Sequence, residues 1–152
     1  MPRKGKRVRL ATGIDNLCKR NLAQPCDTMP LWVTRQFGSV FDRFRDECPS
    51  EAWDDLLIAY ALLKQHGPTV GPLVAKKLKN GDGIWELIAH ADNHQPRVLF
   101  YWTGTTIVFV HAFMKKGNND YRDAVRLAQQ RRSKIERGEK ATNEFSPQSS
   151  IH

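Results

Sequence analysis

The side chains in this sequence best suited to chemistry are cationic, and they fall in three clusters far apart along the chain. Lys76 and Lys77 form the first. Arg97, with His90 and His94 close to it, forms the second, and Lys115 and Lys116, followed by Tyr121, form the third. Such a set suits phosphodiester cleavage without a metal. RNA carries its own nucleophile in the 2′-hydroxyl, so a protein need only align it, move protons and stabilise a crowded phosphorane. Arginine offers a planar fork to two phosphate oxygens, and lysine a compact charge where negative charge develops. Histidine or tyrosine can move protons or stack on a base. No carboxylate pair suggests a two-metal nuclease. Glu86 is the only acidic residue within the predicted strand cores and is a candidate general base. Neither a metal nor a cofactor is expected.

Each of these residues also has a plainer reading. Surface lysines are usually solvated charges. Arg97, at the start of a strand, can simply pair with Glu86 across a hairpin. His111, inside an apolar strand, reads as a hydrogen-bonded core histidine, and His90 and His94 as surface residues near a turn. Trp85, Phe100, Trp102, Phe109 and Phe113 read mainly as core. The phosphate reading needs the clusters to converge. In an antiparallel meander the end of the third strand lies beside the start of the second, which would bring Arg97 near Lys115.

The elements that must do this positioning follow from periodicity. Met29 to Phe37 is rich in β-formers after turn residues and predicts a strand. From Ser39 the period becomes helical through Val40, Phe41 and Phe44, ending at Cys48-Pro49. Ser50 offers an N-cap to a second helix, with Glu51 and Asp54 opposing the dipole of its first turn. Trp53, Leu56, Leu57, Tyr60 and Leu63 form its apolar stripe, and Gly67-Pro68 ends it. A glycine-rich loop zone, interrupted by Leu73 to Leu78, precedes three β runs: Ile84 to Ala91, Arg97 to Trp102, and Thr106 to Phe113. Thr103-Gly104 marks a hairpin. A last helix runs from a cap at Asn119 through Arg137, and the polar tail from Gly138 is expected to be disordered. The runs are nearly continuous in apolar residues, which predicts cover on both faces of the sheet. Helices followed by strands indicate an α+β fold: a helical hairpin packed on a small antiparallel-type sheet with a C-terminal helix.

At 152 residues the chain fits one domain with ragged ends. The divisions expected are a basic, flexible arm over residues 1–28, a folded domain over 29–137 and a tail over 138–152. Hydrophobic residues make up 40% and charged residues 26%, which excludes a wholly disordered chain. The formal net charge of +8 favours polyanionic partners, because cations that meet phosphates release condensed counterions. No apolar run approaches the roughly 20 residues of a membrane helix, and no apolar stretch follows the basic Met1 to Leu10, so neither membrane insertion nor export is expected. Cys18, Cys26 and Cys48 are odd in number and include no CxxC pair, which argues against a disulfide framework and a zinc site. They read as reduced thiols in a cytoplasmic protein whose basic face engages nucleic acid, RNA above all.

The sequence also resembles the phage-derived branch of the RelE/HigB toxin superfamily over roughly residues 36–137. The resemblance is carried by LVAKKLKNGDGIWEL (Leu73 to Leu87), RVLFYW (Arg97 to Trp102) and IVFVHAFMKKGNNDY (Ile107 to Tyr121), in that order and spacing. It implies a RelE-like fold and a type II toxin that cuts mRNA, commonly on the ribosome, without a metal. It also implies a helix-turn-helix antitoxin as cognate partner, with operator DNA reached only through that antitoxin. By the same resemblance Arg97, Lys115, Lys116 and Tyr121 are the catalytic candidates; from their residue types Lys76 and Lys77 are read as gripping the RNA backbone, and His94 as an RNA-binding residue that stacks a base or handles a proton. The chain departs from the pattern in three places. Ile88 stands where Arg often follows Trp-Glu-Leu, Ala112 where Gly is usual, and Gly117-Asn118-Asn119-Asp120 where Thr-Pro is common. Some relatives inhibit DNA gyrase instead, and a non-catalytic module binding antitoxin or nucleic acid is the alternative reading.

Overall fold

The computed structural model describes residues 32–90, 94–116 and 118–147, with backbone alone for 118–120. The expected basic arm of residues 1–28, with Cys18 and Cys26, lies outside the described residues, as do 29–31, the turn residues 91–93, and 148–152. In chain order the elements are β1 (Val33–Phe37), α1 (Val40–Glu47), α2 (Ser50–His66), β2 (Ala75–Lys77), β3 (Trp85–Ile88), β4 (Pro96–Thr103), β5 (Thr106–Met114), α3 (Asn118–Glu136) and β6 (Thr142–Glu144). The fold is α+β, with the helices packed on a six-stranded sheet ordered β2-β3-β4-β5-β1-β6. Among the described residues no helix is long and apolar enough to cross a membrane.

The sheet separates two cores. On one face the α2 stripe buries Trp53, Leu56, Tyr60 and Leu63 with Phe41 and Phe44 of α1 against Leu87, Val98, Phe100, Ile107 and Phe109. On the other, Ala124 and Ala128 of α3 pack on Leu99, Tyr101, Val108 and Val110. Strand alternation in β4 makes this division: Val98 and Phe100 face α1 and α2, while Leu99 and Tyr101 face α3. Arg97, two residues before Leu99, therefore falls on the α3 side. Cys48 is buried beside α1, and burial pushes its thiol up to about 11.

Three expectations need correction. The sheet is mixed: β2 to β5 form the expected antiparallel meander, but β1 runs parallel to β5 (Val33 opposite Thr106). A parallel neighbour needs a long crossover, here supplied by everything between β1 and β5, so no local turn signal reports it. Second, Ser50 is the first helical residue and not the cap. Extended Pro49 occupies that position, and its carbonyl accepts from the Trp53 N–H at 2.8 Å. Third, the tail is ordered where it meets the sheet. β6 pairs antiparallel with β1, the Phe145 N–H donates to the Thr34 carbonyl at 3.1 Å, and Phe145 is 1% exposed. Its ring stacks on Phe41 with centroids 4.1 Å apart. A single apolar anchor in a polar tail escapes a reading based on composition.

The chain turns sharply at Gly67, whose φ of 61° closes α2. A Cβ there would collide with the Trp32 indole, so the glycine serves both the turn and the close approach of β1.

Candidate functional site

On the α3 side a cavity of about 870 Å³ opens between the β2–β3 end of the sheet and the first turns of α3. Five elements or their ends supply its polar walls: Lys76 and Lys77 from β2, Glu86 from β3, Arg97 from β4, Lys115 just past β5, and Tyr121, Arg122 and Arg126 from α3. The clusters separated in sequence thus converge, with two residues, Lys116 and His94, excepted.

Glu86 is the hub. Its side chain is 3% exposed. The Tyr121 hydroxyl donates to its Oε1, Arg97 Nε lies 3.5 Å from the same oxygen, and Lys76 Nζ lies 3.9 Å from Oε2. The strand register accounts for the Arg97 contact. Glu86 is opposite Leu99 and Ile88 opposite Arg97, so Glu86 and Arg97 are diagonal neighbours on one face. Burial raises the Glu86 carboxyl above its usual range; Arg97, Lys76 and Lys115 oppose that rise without cancelling it. Burial lowers the Arg97 guanidinium while Glu86 holds it up. A guanidinium starts so far above neutrality that it stays charged.

Arg97 is more constrained than an open phosphate fork. Its Nη1 donates to the carbonyls of Ala89 at 3.2 Å and Pro96 at 2.9 Å, and Nη2 reaches Gln95 Oε1 at 3.4 Å. Its Nε is buried without a hydrogen-bond partner among the described residues, so the Glu86 contact is an ion pair and not a hydrogen bond. What Arg97 offers the cavity is a fixed positive charge with few free N–H groups.

Tyr121 is held from three sides. Beyond its bond to Glu86, its ring meets the edge of Phe113 at 5.5 Å, and Lys115 Nζ sits 5.4 Å from the ring centroid. Its phenol is placed for proton transfer more than its ring is open for base stacking.

Lys116 and His94 do not join this group. Lys116 is exposed and lines a separate groove with Glu47 and His111. The cause is a β-bulge: Phe100 pairs with Phe109, but Leu99 pairs with His111, leaving Val110 as an extra residue in β5. That shift places 111, 113 and 115 on the α3 side, and the Lys115 N–H continues the ladder to the Gln95 carbonyl at 2.9 Å. Lys115 therefore enters the cavity. His94 is partly buried in an isolated bridge away from the lining, whereas His90 is exposed on the cavity rim. His111 is only partly buried and lines two shallow grooves, so it is not the core histidine expected from its apolar strand. Its Nδ1 lies 3.4 Å from Arg131, and burial followed by that cation lowers it to about 4.

Arg122, Val125, Arg126 and Gln129 of α3 also line the cavity and were not singled out from sequence. Their spacing of three and four residues marks one helix face, which was the available signal. Among the described residues of the lining, seven are cationic (Lys76, Lys77, Lys79, Arg97, Lys115, Arg122 and Arg126) and Glu86 is the single carboxylate.

A family model described as phage derived protein Gp49-like (DUF891) matches residues 43–133, a span that contains every residue lining the cavity. The chain belongs to this Gp49-like family. The family is one of RelE/HigB-like toxins, so the Gp49-like chain is a toxin-like module. A search of curated proteins finds no match to it. Ile88, where the resemblance leads one to expect Arg, lies in the cavity wall opposite Arg97, so this site carries an apolar patch at that point.

Proposed function

We propose that this Gp49-like chain is an endoribonuclease toxin that cuts mRNA without a metal and is restrained by a helix-turn-helix antitoxin. The observation that carries the reading is the convergence of Lys76, Arg97, Lys115 and Tyr121 on the buried carboxylate of Glu86.

In this mechanism the substrate strand lies across the cavity with its scissile phosphate between Lys115 and Lys76. The 2′-hydroxyl attacks phosphorus in line. Its proton passes to Glu86, directly or through the Tyr121 phenol, as the 2′-O–P bond forms. The P–O5′ bond breaks, and the 5′ oxygen takes a proton from a lysine ammonium, leaving a 2′,3′-cyclic phosphate and a 5′-hydroxyl. A base whose proton affinity is raised toward neutrality by burial is better matched to this task than an ordinary surface carboxylate. The two lysines meet the developing negative charge, and Arg97 supplies a fixed positive field at the floor. Arg122 and Arg126, on the cavity face of α3, suit the flanking phosphates.

Expression of the chain in bacteria, beside Glu86→Gln and Arg97→Ala variants, tests the reading. Growth arrest with cut transcripts in the wild type alone supports it; intact transcripts in wild-type cells overturn it. The non-catalytic alternative has one observation in its favour, since both Nη1 donors of Arg97 are occupied by backbone carbonyls and Nη2 reaches Gln95 Oε1. Under that reading the variants would bind antitoxin or RNA as the wild type does, and no chain would cut.

A further inference from the structure

The end of the cavity away from Glu86 has a different chemistry. Around the 78–84 turn Leu78 and Val125 supply apolar surface, Gln129 and Asn80 carboxamides, and Lys79 a further cation. Gln129 lies two turns beyond Tyr121 on α3, a rise of about 12 Å. A group bound beside it is therefore distinct from the one at the reaction centre but within the same cavity.

The carboxamide of Gln129 has a defined orientation. Its Nε2 donates to the Gly81 carbonyl at 2.9 Å. Because that partner is a carbonyl, the nitrogen must be the atom facing it, and the assignment of N and O follows. Its Oε1 makes no hydrogen bond among the described residues, so the anchored carboxamide of this lining residue keeps an open acceptor. Gln129 is not needed merely to fasten the 78–84 turn. Arg132 Nη1 also ties that turn to α3 through the Asp82 carbonyl at 3.2 Å, and the turn closes on itself through Gly81 N–H to Leu78 O and Ile84 N–H to Gly81 O.

We propose that Gln129 is a specificity-determining residue, reading a base beside the scissile phosphate and selecting adenine or cytosine over guanine or uracil. This rests on the ribonuclease reading above and adds to it the substrate's base. Adenine and cytosine carry an exocyclic amino donor at the tip of the pairing edge, where guanine and uracil carry a carbonyl acceptor. An anchored amide oxygen set against that exocyclic tip accepts from the amino group of the first pair and repels the carbonyl of the second, whose own donors, guanine N1–H and uracil N3–H, lie one position further along the edge. Leu78 and Val125 flank the base faces, in place of the aromatic stacking common in RNA recognition. The aromatic side chains of β3 and β4 are not available for that role: Trp85, Phe100 and Trp102 pack on the opposite core, and Tyr101, on the α3 side, is buried in its own.

The test is sequencing of cut sites in mRNA from cells expressing the wild type, Gln129→Leu, Gln129→Arg or Arg132→Ala. For the wild type, sites with A or C at one fixed position beside the cut should exceed those with G or U by roughly five- to tenfold, the discrimination expected of one hydrogen bond made or lost. Gln129→Leu, which keeps the bulk and removes the acceptor, should bring that ratio to within about twofold. Gln129→Arg, which presents a donor, should invert it, and Arg132→Ala should leave it as in the wild type. A wild-type ratio near unity, or one that survives both Gln129 substitutions, overturns the inference while leaving the nuclease reading intact. A wild type that cuts no RNA at all sinks the nuclease reading first.

Discussion

The hydroxyl of Tyr121, on the first turns of α3, donates to the carboxylate of Glu86, buried in the middle of β3. This bond joins helix to sheet in the wall of the cationic cavity. Glu86→Gln should lower RNA cleavage by about 10²-fold or more, within the range found for loss of a general base. Tyr121→Phe should cause a smaller loss, since Glu86 remains. Cleavage rates on a defined transcript check both, with circular dichroism to confirm that each variant folds.

The pH dependence of the reaction should carry the signature of Glu86. A general base works when ionised, so the rate should fall as pH drops through its raised value, nearer neutrality than for an ordinary carboxylate. Lys115 is one of the cations opposing that rise. Lys115→Ala should therefore move the acid limb to higher pH, besides lowering the plateau. A limb that stays in place would separate Lys115 from Glu86.

Adjacent lysines should differ sharply. Because the bulge at Val110 turns Lys115 into the cavity and leaves Lys116 in another groove, Lys115→Ala should cost roughly 10²-fold in cleavage, comparable to loss of one transition-state donor. Lys116→Ala should stay within a few-fold of wild type. Single-turnover rates of the two variants, side by side, decide this.

The segment after α3 is expected to be part of the fold. Phe145→Ala should destabilise the protein by about 3–5 kcal/mol, the usual cost of emptying a buried phenylalanine site. Truncation after Arg137 should cost more, since it also removes β6 from the edge of the sheet. Denaturant unfolding monitored by tryptophan fluorescence measures both.

His111 should make the protein sensitive to mild acid. Its folded value, about 4, is below the 6.5 of an exposed histidine. Between those values the unfolded chain binds a proton that the folded chain refuses. The stability from this site is thus complete above about 6.5 and is lost as pH falls toward 4. Glu86, raised in the fold, acts in the opposite sense, losing stability as pH rises through its folded value. The comparison that isolates His111 is the difference between wild type and His111→Gln, whose unfolding free energy should vary less over this range.

What the sequence made legible was local. The α2 stripe from Trp53 to Leu63 and the β3–β4–β5 meander follow from periodicity and turn residues, and the meander implied that Arg97 would approach Lys115. The parallel β1–β5 pairing and the return of Phe145 depend on contacts far apart in the chain, which no short window contains. The choice between Lys115 and Lys116 rests on one extra residue in β5 that leaves no mark on the apolar pattern. Arg122, Arg126 and Gln129 were hidden for another reason: they lie on a polar face of α3 beside the packed side that carries Ala124 and Ala128, and periodicity alone does not tell a solvated polar face from one that lines a cavity. Glu86 was visible as an isolated acid, but its central position emerged only when Tyr121 and Lys76 met it in space.

The most direct test of the central claim is to map the ends of transcripts in cells expressing the wild type and Glu86→Gln. The cationic cavity around Glu86 predicts new 5′-hydroxyl ends in the wild type and their absence in the variant. Transcripts left whole by the wild type, or cut equally by both chains, would contradict it.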